Sequence, residues 1–176
     1  NIPFMDKFNF TTQQKDRLWH SQAPYYERIL MTINEDASKV LTMRESQTEQ
    51  PNLFIRDITK DSLVQFTKFP HPTPAFIGVT KTFIKYKRDD GVDLTGTLYL
   101  PPGYDKSQGR IPVLMWAYPL EYKDKAVASQ VTDSPYEFVR VSYWGPMPHL
   151  AQGFAIFDDP KMPIVGVDGE LPNDTF

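Results

Sequence analysis

The chain contains no cysteine, and this absence removes two kinds of chemistry. Disulfide bonds and thiolate metal sites cannot form anywhere in its 176 residues. No apolar run approaches the roughly 18 residues that a membrane span needs, so we expect a soluble chain without a membrane span. Lysine and arginine number 19 against 22 aspartates and glutamates, and the formal net charge of -3 argues against nucleic acid as the main partner. The compartment stays open.

Apolar residues make up 40% of the chain and aromatic residues 14%, enough for one fair core or two small ones. The sequence begins with Asn1-Ile-Pro-Phe4, without an initiator methionine or a signal peptide. We therefore expect both ends to be cut from a longer protein, by nature or by design.

Residues 1–69 predict short strands separated by polar turns. A hairpin is expected from Met5–Phe10 and Arg17–Ser21, and four further strands follow it. They are Tyr26–Ile33, Lys39–Arg44, Leu53–Asp57 and Ser62–Thr67. Because four consecutive strands make one blade of a β-propeller, this region predicts about one and a half blades.

Residues 70–80 predict a stiff, proline-rich linker without regular structure, since Pro70, Pro72 and Pro74 lie close together. Residues 81–176 predict a different sheet. Its strands are Lys81–Arg88, Leu94–Leu100, Val113–Tyr118 and Phe154–Asp158, with a hairpin turn at Asp90-Gly91 and a short helix, Pro148–Gln152, ended by Gly153. The order strand, helix, strand is a crossover typical of an α/β sheet.

The segment from Ile111 to Tyr118 predicts a buried strand that places a tyrosine at its carboxyl end, where a loop begins. Ligands of open α/β sheets bind outside the carboxyl ends of the strands, so the Tyr118 hydroxyl is a candidate site group. The alternative is an aromatic side chain that closes a core.

Several short motifs carry a resemblance over nearly the whole chain. They are Arg44-Glu-Ser46, Phe69-Pro-His-Pro72, Trp116-Ala-Tyr-Pro119, Tyr122-Lys123, Gln130-Val131, Ser134-Pro135, Glu137-Phe138, Pro163-Ile164 and Leu171-Pro-Asn-Asp174. With these motifs, the chain resembles the prolyl oligopeptidase family of serine peptidases, most of all its glutamyl endopeptidase branch. The resemblance implies a mixed, β-rich fold, with partial β-propeller blades followed by the amino-terminal part of an α/β-hydrolase sheet.

The resemblance also implies a site. In the family, one donor of the oxyanion hole is a tyrosine hydroxyl directly after this strand, and Tyr118 falls at that position. The chain has no Gly-x-Ser-x-Gly, and the family's serine, aspartate and histidine would lie beyond Phe176. The three histidines, His20, His71 and His149, are expected to be surface or loop residues.

Other polar residues carry smaller expectations. Glu121, Tyr122 and Lys123 are candidate substrate contacts beside Tyr118, with a solvated loop as the alternative. Asp158-Asp159 ends a strand, but adjacent residues of a strand point to opposite faces, which makes a shared metal ion awkward. The run Gly166-Val-Asp-Gly-Glu170 departs from the family pattern and is too short for a calcium loop. We therefore assign no metal and no cofactor.

The leading hypothesis is a segment of a serine peptidase that hydrolyses peptide bonds through an acyl-enzyme and that is inert alone. The resemblance implies cleavage after glutamate. The partners of this segment would be a peptide substrate and the remaining blades and hydrolase segment of the parent protein. Two alternatives stay open: a non-catalytic, β-rich module that binds a partner through strand edges, and an esterase of the same fold.

Overall fold

A computed structural model describes residues 2–130, 133–167 and 169–172. The chain divides into two compact units. The first unit comprises Asn1–Pro72 and Ser134–Val139, and the second comprises Thr73–Asp133 and Arg140–Phe176. The domain limits proposed above, 1–69, 70–80 and 81–176, stay a prediction. Val131, Asp168, Asn173 and Asp174, which belong to motifs quoted above, lie outside the described residues.

The first unit contains a hairpin and a four-stranded sheet. Strands β1 (Phe4–Phe8) and β2 (Lys15–His20) pair antiparallel. Strands β3 (Tyr26–Thr32), β4 (Lys39–Glu45), β5 (Asn52–Asp57) and β6 (Ser62–Gln65) form an antiparallel sheet in sequential order. The predicted hairpin and the predicted sequential order of four strands are both present, and their assignment to one and a half propeller blades stays a prediction.

Side chains of the turns fix the ends of these strands. Asp57 accepts hydrogen bonds from the backbone N–H groups of Thr59 and Lys60, both at 3.1 Å, which closes the turn between β5 and β6. Asn34 accepts one from the N–H of Lys39 at 2.9 Å, at the start of β4. Short polar side chains therefore set where the chain reverses, and this local signal is readable in the sequence.

Residues 134–139 belong to the first unit although they come late in the chain. The Gln47 amide donates to the carbonyl of Pro135 at 2.7 Å, and the N–H of Phe138 donates to the Glu45 carboxylate at 3.3 Å. The His71 ring packs edge to face on Phe138, with 5.1 Å between the ring centroids. No local pattern predicted this return, because it depends on partners distant in sequence.

The second unit is built on a four-stranded sheet. Its strands in chain order are β7 (Thr80–Lys87), β8 (Asp93–Leu100), β9 (Val113–Trp116) and, after the short strand β10 (Leu120–Tyr122), β11 (Ala155–Asp158). Their order in the sheet is β7-β8-β11-β9, and only β11 and β9 are parallel. The β-rich fold class is confirmed: open sheets of a partial propeller are followed by an α/β-type half sheet.

The predicted crossover before β11 is present as a 3₁₀ helix, Met147–Gln152, which ends at Gly153 with φ of 84°. A 3₁₀ turn also occupies Pro74–Phe76, so the expectation of no regular structure in 70–80 was wrong there. A proline fixes φ near the helical value, which favours a single tight turn at such a position. Several elements of the described residues were not predicted, among them strand β10, the 3₁₀ helix Lys106–Gln108, helix α1 (Lys125–Ala128) and strand β12 (Pro163–Val165), which pairs parallel with β10.

The expectation of a buried strand at 111–118 was wrong. Among the described residues, strand β9 lies at the edge of its sheet, with β11 as its one pairing partner. Val113, Met115 and Trp116 are each more than half exposed. An apolar run shows that a strand can be buried, whereas its position in the sheet decides whether it is.

The core of the second unit lies under β8 and β11. Leu150 of the 3₁₀ helix and Ile156 of β11 are fully buried. Gly96 in β8 faces the Phe157 ring, and a Cβ there would come within 2.6 Å of that ring. None of the helices in the described part of the chain has the length and hydropathy of a membrane span.

Candidate active site

The carboxyl ends of β9 and β11 meet at one edge of the second unit's sheet. The two strands are parallel, with Trp116 opposite Asp158, and the N–H of Asp159 donates to the carbonyl of Trp116 at 2.9 Å. The chain leaves β9 at this point and reaches Tyr118 two residues later. The sheet therefore places Tyr118 where open α/β sheets bind their ligands.

Tyr118 is open to solvent. Its residue surface is 76% exposed, and it lines a shallow depression together with Leu120, Tyr122 and Met162. Within the described residues, its hydroxyl makes no hydrogen bond. The alternative that Tyr118 closes a core does not hold for this part of the chain, and the hydroxyl is free to bind a ligand.

The segment 121–123 is not the expected solvated loop, because part of it forms a strand. Glu121 and Tyr122 belong to β10, which pairs with β12 through Glu121 opposite Ile164 and Tyr122 opposite Val165. Glu121 and Lys123 are exposed, whereas Tyr122 is half-buried and packs against the cluster of Val92, Leu94 and Ala128. The expectation of a loop was wrong for β10, because this segment pairs with β12, a strand that comes much later in the chain. The role of the three residues in substrate binding stays a prediction.

Charged groups surround the end of β11. The Lys161 ammonium forms an ion pair with Asp159 and lies 3.8 Å from Asp133. Burial lowers the pKa of Lys161, but the hydrogen bond to Asp159 and the charges of both aspartates outweigh it, so its pKa is raised and the amine stays protonated. Burial raises the pKa of Asp158, and the charge of Asp159 adds to this effect. The described residues contain no group of three or more metal-ligating side chains.

An apolar cavity of about 600 Å³ lies beside the same edge. Leu94, Met115, Phe157 and Met162 are among its lining residues, and Lys161 and Pro163 line both the cavity and the Tyr118 depression. At its rim, both oxygens of Asp90 accept hydrogen bonds from Arg88, whose remaining nitrogen donates to the carbonyl of Pro163. No pattern in the sequence predicted this cavity.

The contacts that the three histidines make are with residues other than Tyr118. His20 Nδ1 is 3.0 Å from the carbonyl of Ser21, and His71 packs on Phe138, both in the first unit. His149 lies on the 3₁₀ helix of the second unit, with Nδ1 3.1 Å from the Gln152 amide oxygen. Surface or loop positions were expected for all three, and two of them lie on regular elements, His20 at the end of β2 and His149 on the helix.

Comparison with known proteins finds no matching family model. The whole chain is 42% identical over 186 aligned residues to a probable chloroplastic glutamyl endopeptidase of Oryza sativa subsp. japonica. It is 39% identical to a probable chloroplastic glutamyl endopeptidase of Arabidopsis thaliana. The chain spans about a fifth of the length of these relatives, 20% and 19%.

Two solved structures of the AtxE2 isopeptidase share the fold. The chain matches them with TM-scores of 0.51 and 0.52 at 16% identity, over 89% and 84% of its own length. These matches cover 21% and 20% of the isopeptidase chain. At that identity the likeness concerns the fold alone. The sequence identity over the full chain, however, confirms the resemblance drawn from the motifs: the chain is similar to a segment of these glutamyl endopeptidases.

Proposed function

We propose that this chain is a segment of a serine peptidase, spanning the end of a β-propeller and the start of an α/β-hydrolase domain, in which Tyr118 is an oxyanion-hole donor. The observation that carries the proposal is the Tyr118 hydroxyl, which is exposed, makes no hydrogen bond within the described residues, and lies at the carboxyl edge of the sheet.

The chemistry explains why a free hydroxyl matters at this place. When a serine attacks a peptide carbonyl, negative charge develops on the carbonyl oxygen. A donor held 2.7–3.1 Å from that oxygen contributes about 2.7–4 kcal/mol to the stabilisation of the transition state. A hydroxyl already bonded inside the protein would have to break that bond first, and Tyr118 has none to break among the described residues. The nucleophile and its histidine and aspartate partners come from residues outside this chain.

The substrate class follows from the relatives. Both are named as glutamyl endopeptidases, so we propose peptide bonds as the substrate and glutamate as the preferred residue before the cleaved bond. An acidic side chain requires a cationic partner in its binding site. The isolated chain, which has no Gly-x-Ser-x-Gly, is proposed to be inert by itself.

The Tyr118→Phe variant of the full-length protein tests the role of the hydroxyl. We expect kcat for a peptide substrate to fall about 100-fold or more while KM changes little, because the hydrogen bond is made only in the transition state. Tyr143→Phe is the matched control, since Tyr143 is also an exposed tyrosine of the second unit. Its kcat should equal that of the wild type. Equal kcat for Tyr118→Phe and Tyr143→Phe would remove Tyr118 from the mechanism.

A further inference from the structure

Within the described residues, four lysine and arginine side chains line the larger cavities of the two units, and three of them donate hydrogen bonds to carboxylates. In the second unit, Arg88 binds Asp90 and Lys161 binds Asp159. In the first unit, Arg56 donates to both oxygens of Glu27, at 2.8 and 2.7 Å, and to Asp61 at 3.0 Å. The fourth side chain, Arg44, has a different environment.

Arg44 lies on β4 with a guanidinium that makes no hydrogen bond within the described residues. Its nearest carboxylate oxygen belongs to Glu27, 3.7 Å from Nε, which is too long for a hydrogen bond. The side chain as a whole is 21% exposed. A mostly buried cationic side chain with unused donors is a favourable partner for an anion.

Aromatic rings hold this guanidinium in place. Its Cζ atom lies 3.2 Å from the centroid of the Tyr25 ring and 5.6 Å from that of Phe54. The Tyr25 hydroxyl donates to Glu49 at 3.1 Å, which anchors the ring. Stacking on an aromatic face leaves the in-plane N–H groups of an arginine available, and these are the groups that bind a carboxylate in bidentate fashion.

Space for a ligand lies beside Arg44. A cavity of about 270 Å³ is lined by Arg44, Tyr25, Trp19 and the acidic Glu27 and Asp61, among others, and a second cavity of about 260 Å³ by Arg44, Glu49, Gln50 and Asn52, among others. Both oxygens of Glu27 accept hydrogen bonds from Arg56, which also binds Asp61. Arg44 shares the Glu27 charge only at 3.7 Å, so its N–H donors are available to a ligand.

From this geometry we infer that Arg44, stacked on Tyr25, is a binding residue for the carboxylate of an acidic peptide. The inference rests on the proposed function in one respect, that the ligand is a peptide. The carboxylate has two possible sources, a glutamate side chain or a peptide C-terminus. Both present the same planar pair of oxygens, and experiment separates them.

The test measures binding without turnover. Three labelled peptides are bound to the full-length protein and followed by fluorescence anisotropy. The first has one internal glutamate and both ends capped, the second carries glutamine instead, and the third is the glutamine peptide with a free C-terminal carboxylate. The bond after the varied residue is N-methylated in all three, so that the peptides are not cleaved.

We expect the wild type to bind one of the two carboxylate peptides about tenfold or more tightly than the neutral peptide, as for a hydrogen bond to a charged group. Whichever peptide is preferred identifies the source of the carboxylate. Arg44→Gln should reduce the preference to about onefold and leave the affinity for the neutral peptide unchanged. Arg28→Gln is the matched control, since Arg28 is an exposed arginine of β3 that lines neither of these cavities, and it should keep the full preference.

A second variant guards against loss of folding. Glu27 remains bound to Arg56 in Arg44→Lys, and this variant keeps the charge while losing the planar fork, so it should keep a reduced preference. A wild type without preference, or a full preference in Arg44→Gln, would overturn the inference. The outcomes also separate the two proposals: a preference that depends on Arg44 in a protein without peptidase activity refutes only the proposed function. A Tyr118-dependent peptidase without that preference refutes only the inference.

Discussion

The two units each contain a four-stranded sheet, and the two sheets are held together differently. In the first unit, strands β3 to β6 follow one another in the chain, and the sheet buries polar groups, among them Glu27, Thr42, Glu45 and Asn52. In the second unit, the sheet gathers strands from Thr80 to Asp158, and its most buried residues include Val92, Leu94, Ala155 and Ile156. The first sheet therefore buries more charged and polar groups, and the second buries mainly apolar ones.

The ion pairs differ in the same way. Glu27 and Arg56 in the first unit are 4% and 11% exposed at their side chains, whereas Lys87 and Asp93 in the second unit are both 63% exposed. A buried pair is costly to break, because the remaining charge stays without a partner. An exposed pair is solvated before and after, so it contributes little. The contrast between the units can therefore be measured.

The largest effect is expected for Glu27→Ala. Removal of this carboxylate leaves Arg56 and Arg44 without their common acidic neighbour, and we expect a loss of about 3–5 kcal/mol in the free energy of unfolding of the first unit. Asp93→Ala should cost less than about 1 kcal/mol. The measurement is urea unfolding in a Trp116→Phe, Trp144→Phe background, so that the fluorescence comes from Trp19, whose ring centroid lies 5.4 Å from the Arg56 guanidinium carbon. Circular dichroism follows the Asp93 variant. Similar losses in both variants would contradict the contrast.

A smaller effect is expected from one deletion made in both sheets. Val40 of β4 is fully buried, whereas Val113 of β9 is 58% exposed. Val40→Ala removes the buried packing of two methyl groups, and we expect the free energy of unfolding to fall by about 2 kcal/mol. Val113→Ala should change it by less than about 0.5 kcal/mol. Circular dichroism melting of the two variants checks this, and a destabilising Val113→Ala would show that β9 is covered in solution.

The sequence predicted the first sheet well because its signals are local. Alternating side chains and turn residues such as Asp57 lie next to the strands that they define, and each strand pairs with the next one in the chain. The predicted end of the last strand at Thr67 was too late, because the N–H groups of Phe66 and Thr67 both turn to the carbonyl of Leu53. This error is small, since it concerns only the residue at which β6 ends, and the predicted pairing of β5 with β6 is correct.

In the second unit, local sequence signals did not predict every strand. Strands β10 and β12 have three residues each and stabilise one another only across a long intervening segment, so neither has a pattern of its own. The position of Tyr118 was predictable, because it depends on one strand and the loop after it. Lys161 and the apolar cavity were not, because they depend on how the β9, β10 and β12 segments meet. Local signals locate a candidate site residue, and distant pairings determine which side chains surround it.

The smallest effect is expected from Asp158, a half-buried acid in the second unit. Burial raises the pKa of Asp158 above its ordinary value of 3.8, and the charge of Asp159 adds to the shift. Between 3.8 and the raised pKa, the folded chain holds more protons at this group than the unfolded chain does. The free energy of unfolding therefore falls as the pH rises through that window, and the loss is complete above the raised pKa.

Asp158→Asn removes this titration. At pH 7 we expect the variant to be slightly more stable than the wild type, by less than about 1 kcal/mol, because Asp158 is only half-buried and solvent screens its charge. Asp89→Asn, at an exposed turn position, is the control for the change in net charge. Thermal melting from pH 3 to 7 should show the gain of Asp158→Asn shrinking as the pH falls towards 3.8. A gain that is independent of pH, or a loss of stability at pH 7, would mean that the Asp158 carboxylate is stabilised by hydrogen bonds, as the acids of the first unit are.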